Sequence, residues 1–184
     1  MDNVLDRSWT TDAFLAWEDR QEGKYEFDGR EIIPMTGGTV AHQRLVINLW
    51  LTLNGLLGDR PGVVLQEMRM RIGSVIRYPD VLVSAVPQDQ TIRTVTDAVA
   101  IFEVLSPDTA TTDRVEKLID YAAVLSLRTY VLLEQTAVGA TVFQRQAGGP
   151  WIASAMTEGT INLPGLNVAV PLAGLYRGLT FPAR

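Results

Sequence analysis

A single glutamate, Glu103, stands inside Ala100-Ile101-Phe102-Glu103-Val104-Leu105, a run that otherwise has the near-continuous apolar character of a central β-strand. A carboxylate buried at such a position is costly unless a cation or a metal pairs with it. Period two puts Ile101, Glu103 and Leu105 on one face of the strand. A second acid, Asp80, stands at the mouth of another apolar strand, Tyr78-Pro79-Asp80-Val81-Leu82-Val83. Pro79 implies a bulge or a sheet edge there, which lets Asp80 point into a cleft. Beyond Glu103, Pro107-Asp108-Thr109 stops the strand and caps a helix carrying Lys117. Two carboxylates on neighbouring strands with a cation close by suit divalent-metal chemistry on a phosphodiester.

The rest of the composition narrows the choice of metal. The chain has no cysteine, which removes disulfides, thiolate zinc sites and cysteine nucleophiles. His42 is the only histidine, so a metal would be held mainly by oxygen, which favours magnesium, manganese or calcium. With 184 residues, 47% of them hydrophobic, the sequence fits one domain over 1–184 with a sizeable core. The acidic start lacks the apolar core of a signal peptide, and no apolar run approaches the ~18 residues of a membrane span. A cytoplasmic protein is the expectation.

A net charge of −5 argues mildly against a chain that coats nucleic acid. Its distribution is uneven: Arg60, Arg69, Arg71 and Arg77 face one local acid, Glu67, and form the best candidate for a phosphate-contacting strip. The alternative is that Arg69 and Arg71 are the wet face of an amphipathic strand.

In chain order, a helix is expected over 11–20, then strands over 24–27 and 30–35 joined by the tight turn Asp28-Gly29. Glu26, on the first strand, reads as an exposed partner of Lys24 or Arg30. Thr39 caps a long helix over 41–57, buried along Leu45, Leu49, Leu53, Leu56 and Leu57. His42 falls in its first turn, where the helix dipole favours a neutral imidazole able to bind a metal or orient a water. Strands follow over 63–72 and 75–85, a polar loop over 87–97 and the Glu103 strand over 98–105. The next helix has its apolar stripe at Val115, Leu118, Ile119, Ala122 and Leu125. Lys117 lies roughly 140° from the centre of that stripe, which makes it a solvated lysine paired with Asp113. Strands over 128–134, 140–146 and 151–156 precede a covering loop and a short helix near the end.

Together these residues carry a resemblance. The order Tyr25-Glu26-Phe27-Asp28-Gly29, His42-Gln43, Pro79-Asp80-Val81 and Glu103-Val104-Leu105-Ser106-Pro107, followed by Asp113, Lys117 and Tyr121, resembles the Uma-type endonuclease family of the restriction-endonuclease-like PD-(D/E)XK superfamily. The likeness runs nearly the whole length, including the closing Leu163-Pro164-Gly165-Leu166. It implies an α/β (α+β) fold, with a mixed central sheet flanked by helices and an N-terminal helix and hairpin. It further implies a site in which Asp80, Glu103 and the Val104 carbonyl hold magnesium or manganese, with DNA as substrate and a homodimer as the form to look for. Where the superfamily has a lysine two positions after the glutamate this chain has Leu105, and the resemblance moves that role to Lys117 on the next helix. Glu26 and His42 are similarly placed in the family and are further candidates. Two other classes stay open: an inactive nuclease-fold binding module, and an oligomeric structural domain in which Glu103 is a buried ion-pair partner of Lys117 or Arg114.

Overall fold

The computed structural model describes residues 9–60, 62–106, 110–146 and 149–181, with the side chains of 110–115 left undescribed. The expected roles of Asp113 and Arg114 as charge partners therefore lie outside the described residues. Helix α1 (Thr11–Glu18) is capped by Thr10, whose hydroxyl accepts from the Ala13 N–H. Strands β1 (Tyr25–Phe27) and β2 (Ile32–Pro34) form the expected hairpin. Its turn uses Gly29 at φ 94°, where a side chain would be strained. In α2 (Val40–Leu57) the Thr39 hydroxyl accepts from the His42 N–H, and Leu45, Leu49, Leu53 and Leu57 are buried while Leu56 stays exposed. Each fully buried leucine contributes about 1.5–3 kcal/mol, so packing holds this helix in place.

The next two expected strands are each broken in two. Strands β3 (Val63–Gln66) and β4 (Arg69–Ile72) come first, then β5 (Val75–Arg77) and β6 (Val81–Ser84). β3 pairs with β6 in one sheet and β4 with β5 in another, so the hairpin changes sheets at Glu67-Met68 and again at Tyr78-Pro79-Asp80. Glu67 takes φ 44°, and its N–H donates to the Asp80 carbonyl at 3.3 Å. The stretch 63–72 alternates well enough at Met68 to Ile72, and 75–85 is apolar enough on either side of Asp80, for the pattern alone to predict continuous strands. Pro79 is the one local mark of the change.

A short strand, β7 (Thr94–Val95), lies parallel to β4 within the expected loop. Then come β8 (Ala100–Leu105), α3 (Ala110–Ala122), β9 (Thr129–Glu134), β10 (Ala140–Gln144) and β11 (Ile152–Met156). The expected covering loop is instead a hairpin, β12 (Thr160–Leu163) with β13 (Val168–Pro171), followed by the expected short helix, α4 (Leu172–Leu175). The larger sheet has the order β11-β10-β9-β8-β6-β3, with β8 and β9 parallel. The smaller sheet has the order β2-β1-β5-β4-β7.

Alternation along β8 divides the core. Phe102 and Val104 pack with Val81, Val83 and the α2 leucines, whereas Ile101 and Leu105 pack with Leu82, Tyr130, Leu132 and Tyr121 of α3. Glu103 shares the second face and so meets α3. That corrects the expected helix face: Ile119 is 67% exposed, while Tyr121 is fully buried and Lys117 turns inward. The sheet presents a carboxylate to this helix, and the helix answers with its polar and aromatic side. The helix also ends at Ala122, where Arg145 donates to the carbonyls of Ala122, Val124 and Leu127, leaving Leu125 beyond its last turn and exposed. Among the described residues no helix is long and apolar enough to cross a membrane.

Candidate active site

Strand register brings the two acids together. β6 and β8 are antiparallel with Val81 opposite Phe102, and one step further along the ladder sets Asp80 beside Glu103. The Val104 N–H donates to Asp80 Oδ2 at 2.7 Å, and the Asp80 N–H lies 3.4 Å from Glu103 Oε2. Asp80, Glu103, Val104, Lys117, Glu26 and His42 all line one cleft of about 340 Å³, roofed by 33–38 and joined by Glu67 and Arg77.

Lys117 is not the solvated lysine that helical geometry suggests. Its Nζ lies 3.1 Å from Glu103 Oε1 and 3.6 Å from Glu26 Oε1, with 13% of the side chain exposed. Leu105, at the position of the superfamily's lysine, is buried in the apolar cluster beneath α3. Tyr121 Oη also donates to Glu103 Oε1, at 2.7 Å. Burial, and then the fields of Glu103 and Glu26, push the Tyr121 hydroxyl well above its ordinary pKa, so it stays a neutral donor.

Glu26 departs from its expected exposed role because β1 runs next to β5. It is buried, its Oε2 lies 3.0 Å from Arg77 Nη1, and its Oε1 accepts from the Tyr78 N–H. Arg77 donates its other edge, Nε and Nη2, to Asp120 Oδ2 at 2.9 and 2.7 Å. Burial opposes the charge on Arg77, but Glu26 and Asp120 outweigh it and hold the guanidinium protonated. Arg77 is thus a tie between the smaller sheet and α3, a role that its place among spaced arginines does not signal.

His42 also departs from expectation. Its Nε2 lies 3.2 Å from Asp80 Oδ1. Burial favours the neutral ring, yet the hydrogen bond to Asp80 and the charges of Asp80, Glu103 and Glu67 together raise its pKa above the ordinary value. The expectation of a neutral ring weighs the helix dipole alone and leaves out these carboxylates, which the register of β6 and β8 brings to the start of α2.

The expected arginine strip does not survive folding. Arg69 is buried, with Nη2 2.7 Å from Glu18 Oε2 and 2.6 Å from Asp19 Oδ1, and Nε donating to Tyr78 Oη. Arg77 is buried as above, Arg71 pairs with Asp12, and Arg60 donates to the Leu166 carbonyl. Arg69 is no wet-face residue either, because its strand lies under α1 and its acids.

As a place for a metal, the cleft offers hard oxygen donors. Among the described residues no three His, Cys, Asp or Glu side chains converge as a metal-binding group. Two adjacent carboxylates fit a magnesium-like ion, which keeps several waters and takes one or two carboxylates. They suit calcium's larger oxygen cage less well. Of the cleft's carboxylates Glu67 pairs with Lys24 at 2.7 Å; Glu26, Asp80 and Glu103 are left with Arg77 and Lys117, and Arg77 is shared with Asp120, so an added cation is favoured electrostatically.

The chain has clear relatives. The Uma2 family model, described as "Putative restriction endonuclease", matches residues 11–173. Uncharacterized protein slr1290 of Synechocystis sp. is 29% identical over 175 residues, covering 92% of each chain. Uncharacterized protein sll1609 of the same organism is 32% identical over 149 residues, 78% of this chain and 84% of that one. A crystal structure from Anabaena variabilis ATCC 29413, described as "a putative nuclease belonging to DUF820", matches with a TM-score of 0.75 at 18% identity, covering 91% of this chain and 97% of the other, and shares the fold. With its restriction-endonuclease-like α+β architecture and a family match spanning 11–173, this chain belongs to the Uma2 family.

Proposed function

We propose that this protein is a magnesium- or manganese-dependent endonuclease that hydrolyses DNA phosphodiester bonds, acting as a single domain over 1–184. Asp80 and Glu103 are the side-chain metal ligands, and the Val104 carbonyl is the third protein ligand. The ion, when bound, supplies a more acidic water and neutralises charge at the phosphate. Lys117 orients the attacking water and offsets negative charge as the pentavalent phosphorus forms. The Tyr121 hydroxyl fixes the Glu103 carboxylate, His42 fixes that of Asp80, and Glu26 sets the position of Lys117. The observation that carries this reading is the 3.1 Å approach of Lys117 Nζ to Glu103 Oε1, which supplies from α3 the cation that Leu105 cannot.

Cleavage of supercoiled plasmid is the test. Wild type should nick or linearise DNA with magnesium or manganese and not in chelator. Asp80→Ala, Glu103→Ala and Lys117→Met should each lose at least about 100-fold while staying folded. Cleavage that persists in chelator would exclude the mechanism.

The second reading, an inactive family member with a structural Glu103–Lys117 pair, draws on the well-satisfied surroundings of Glu103. Its Oε1 already meets both Lys117 and Tyr121. A wild type that cuts neither DNA nor RNA, and whose stability manganese does not change, would select it.

A further inference from the structure

Gln135 follows β9 directly and is 7% exposed, yet both ends of its amide are used. Its Nε2 donates to the Leu105 carbonyl at 2.9 Å, at the end of the strand that carries Glu103 and Val104. Its Oε1 accepts from the Thr39 hydroxyl at 2.6 Å. The Leu105 carbonyl can only accept, so it fixes which way the amide faces and makes Thr39 the donor. Thr39 Oγ1 in turn accepts from the His42 N–H at 3.1 Å. His42 Nε2 reaches Asp80 Oδ1, and Asp80 Oδ2 accepts from Val104, the neighbour of Leu105. These contacts close a ring running Asp80, His42, Thr39, Gln135, Leu105, Val104 and back to Asp80. Two of its side chains join the start of α2 to β8: Asp80, which meets His42 and Val104, and Gln135, which meets Thr39 and Leu105.

We infer that Gln135 is a positioning residue: through Thr39 it sets the first turn of α2, and so holds His42 against the Asp80 carboxylate. Any effect on catalysis rests on the nuclease reading above. The placement of His42 does not. A glutamine after a strand has no sequence signature of such a role, since polar residues ordinarily occupy that position in turns. An amide suits the ring because it donates on one side and accepts on the other. A glutamate could still accept from Thr39 but could not donate to Leu105, and a methionine could do neither.

The test uses the fact that His42 is the only histidine. Its ring gives one set of imidazole signals in a long-range 1H–15N spectrum of the whole, metal-free protein at fixed pH. In Gln135→Met and Thr39→Val those signals should move toward the position found in Asp80→Asn, where the partner carboxylate is gone. In Thr39→Ser, which keeps the hydroxyl, they should stay at the wild-type position. Gln135→Glu should fall between. If Gln135→Met folds and leaves the His42 signals unmoved, the inference is overturned, whether or not the protein cuts DNA. If Gln135→Met does not fold, Thr39→Val against Thr39→Ser decides by the same signals. In plasmid cleavage with manganese, Gln135→Met should lower kcat by about 10- to 100-fold with KM little changed. Absence of cleavage in the wild type would overturn the nuclease reading and leave the spectroscopic result to decide the role of Gln135.

Discussion

Two clusters of buried charge lie where the chain passes between its sheets, and they behave differently. Around Arg69, Glu18 and Asp19 supply the acid, Tyr78 bridges Arg69 and Glu18, and Arg93 comes within 3.7 Å of Asp19. That cluster is balanced in charge, packed under α1, and lines no part of the cleft. Around Glu103, carboxylates outnumber the permanent cations and the group opens into a cavity. Burial of charge therefore does not mark a site in this protein. What recommends the proposed site is an unbalanced cluster with room beside it, where an added cation is favoured.

The contrast predicts opposite responses to manganese. Arg69→Met strands the buried Glu18, while Asp19 keeps solvent and Arg93; it should lower stability by about 3–5 kcal/mol, equally in chelator and in manganese. Denaturant melts under both conditions check this, and rescue by manganese would erase the distinction between the clusters. Lys117→Met should cost less, about 1–2 kcal/mol in chelator, because Tyr121 still donates to Glu103 and Arg77 still pairs with Glu26. Manganese should recover most of that loss, since a bound divalent ion replaces the missing positive charge and stabilises the folded state by mass action. A Lys117→Met deficit that manganese leaves untouched would move Glu103 into the same structural class as Glu18.

The smallest expected effect is on pH dependence in chelator. His42 has a folded-state pKa above its ordinary value, so its pairing with Asp80 contributes stability that is fully present below about pH 6.5. That contribution is lost as pH rises through the folded pKa. Wild type minus Asp80→Asn, measured by urea melts from pH 5 to 9, should show a stability difference that declines with rising pH. A difference that stays flat or grows would mean that Asp80 does not raise the His42 pKa.

Much of this was readable in the sequence, for identifiable reasons. Glu103 stood out because a charge in an apolar strand contradicts its surroundings, and Asp80 because Pro79 marks a break in the ladder. What was hidden depended on tertiary partners. The turn of Lys117 toward the core follows from Glu103 facing α3, which no helical wheel contains. The burial of Glu26, Arg69 and Arg77 follows from the sheet change at Glu67 and Asp80, which nothing in the strand pattern of 63–72 signals and only Pro79 marks in 75–85. The arginines group as a phosphate strip by spacing alone, but register sets Arg77 opposite Met70, on the other face from Arg69 and Arg71, and acids cover both faces: Asp12, Glu18 and Asp19 meet Arg69 and Arg71, while Glu26 and Asp120 meet Arg77. Tyr121 was legible as part of a motif, but its hydrogen bond to Glu103 was not.

The proposed chemistry requires Asp80 and Glu103 together to hold a divalent cation in the cleft. Manganese soaked into crystals and located by anomalous scattering tests it most directly. One strong peak is expected between the Asp80 and Glu103 carboxylates, within coordinating reach of the Val104 carbonyl, and it should be lost in Asp80→Asn crystals soaked identically. An absent peak at saturating manganese, or one elsewhere that Asp80→Asn leaves unchanged, would contradict it.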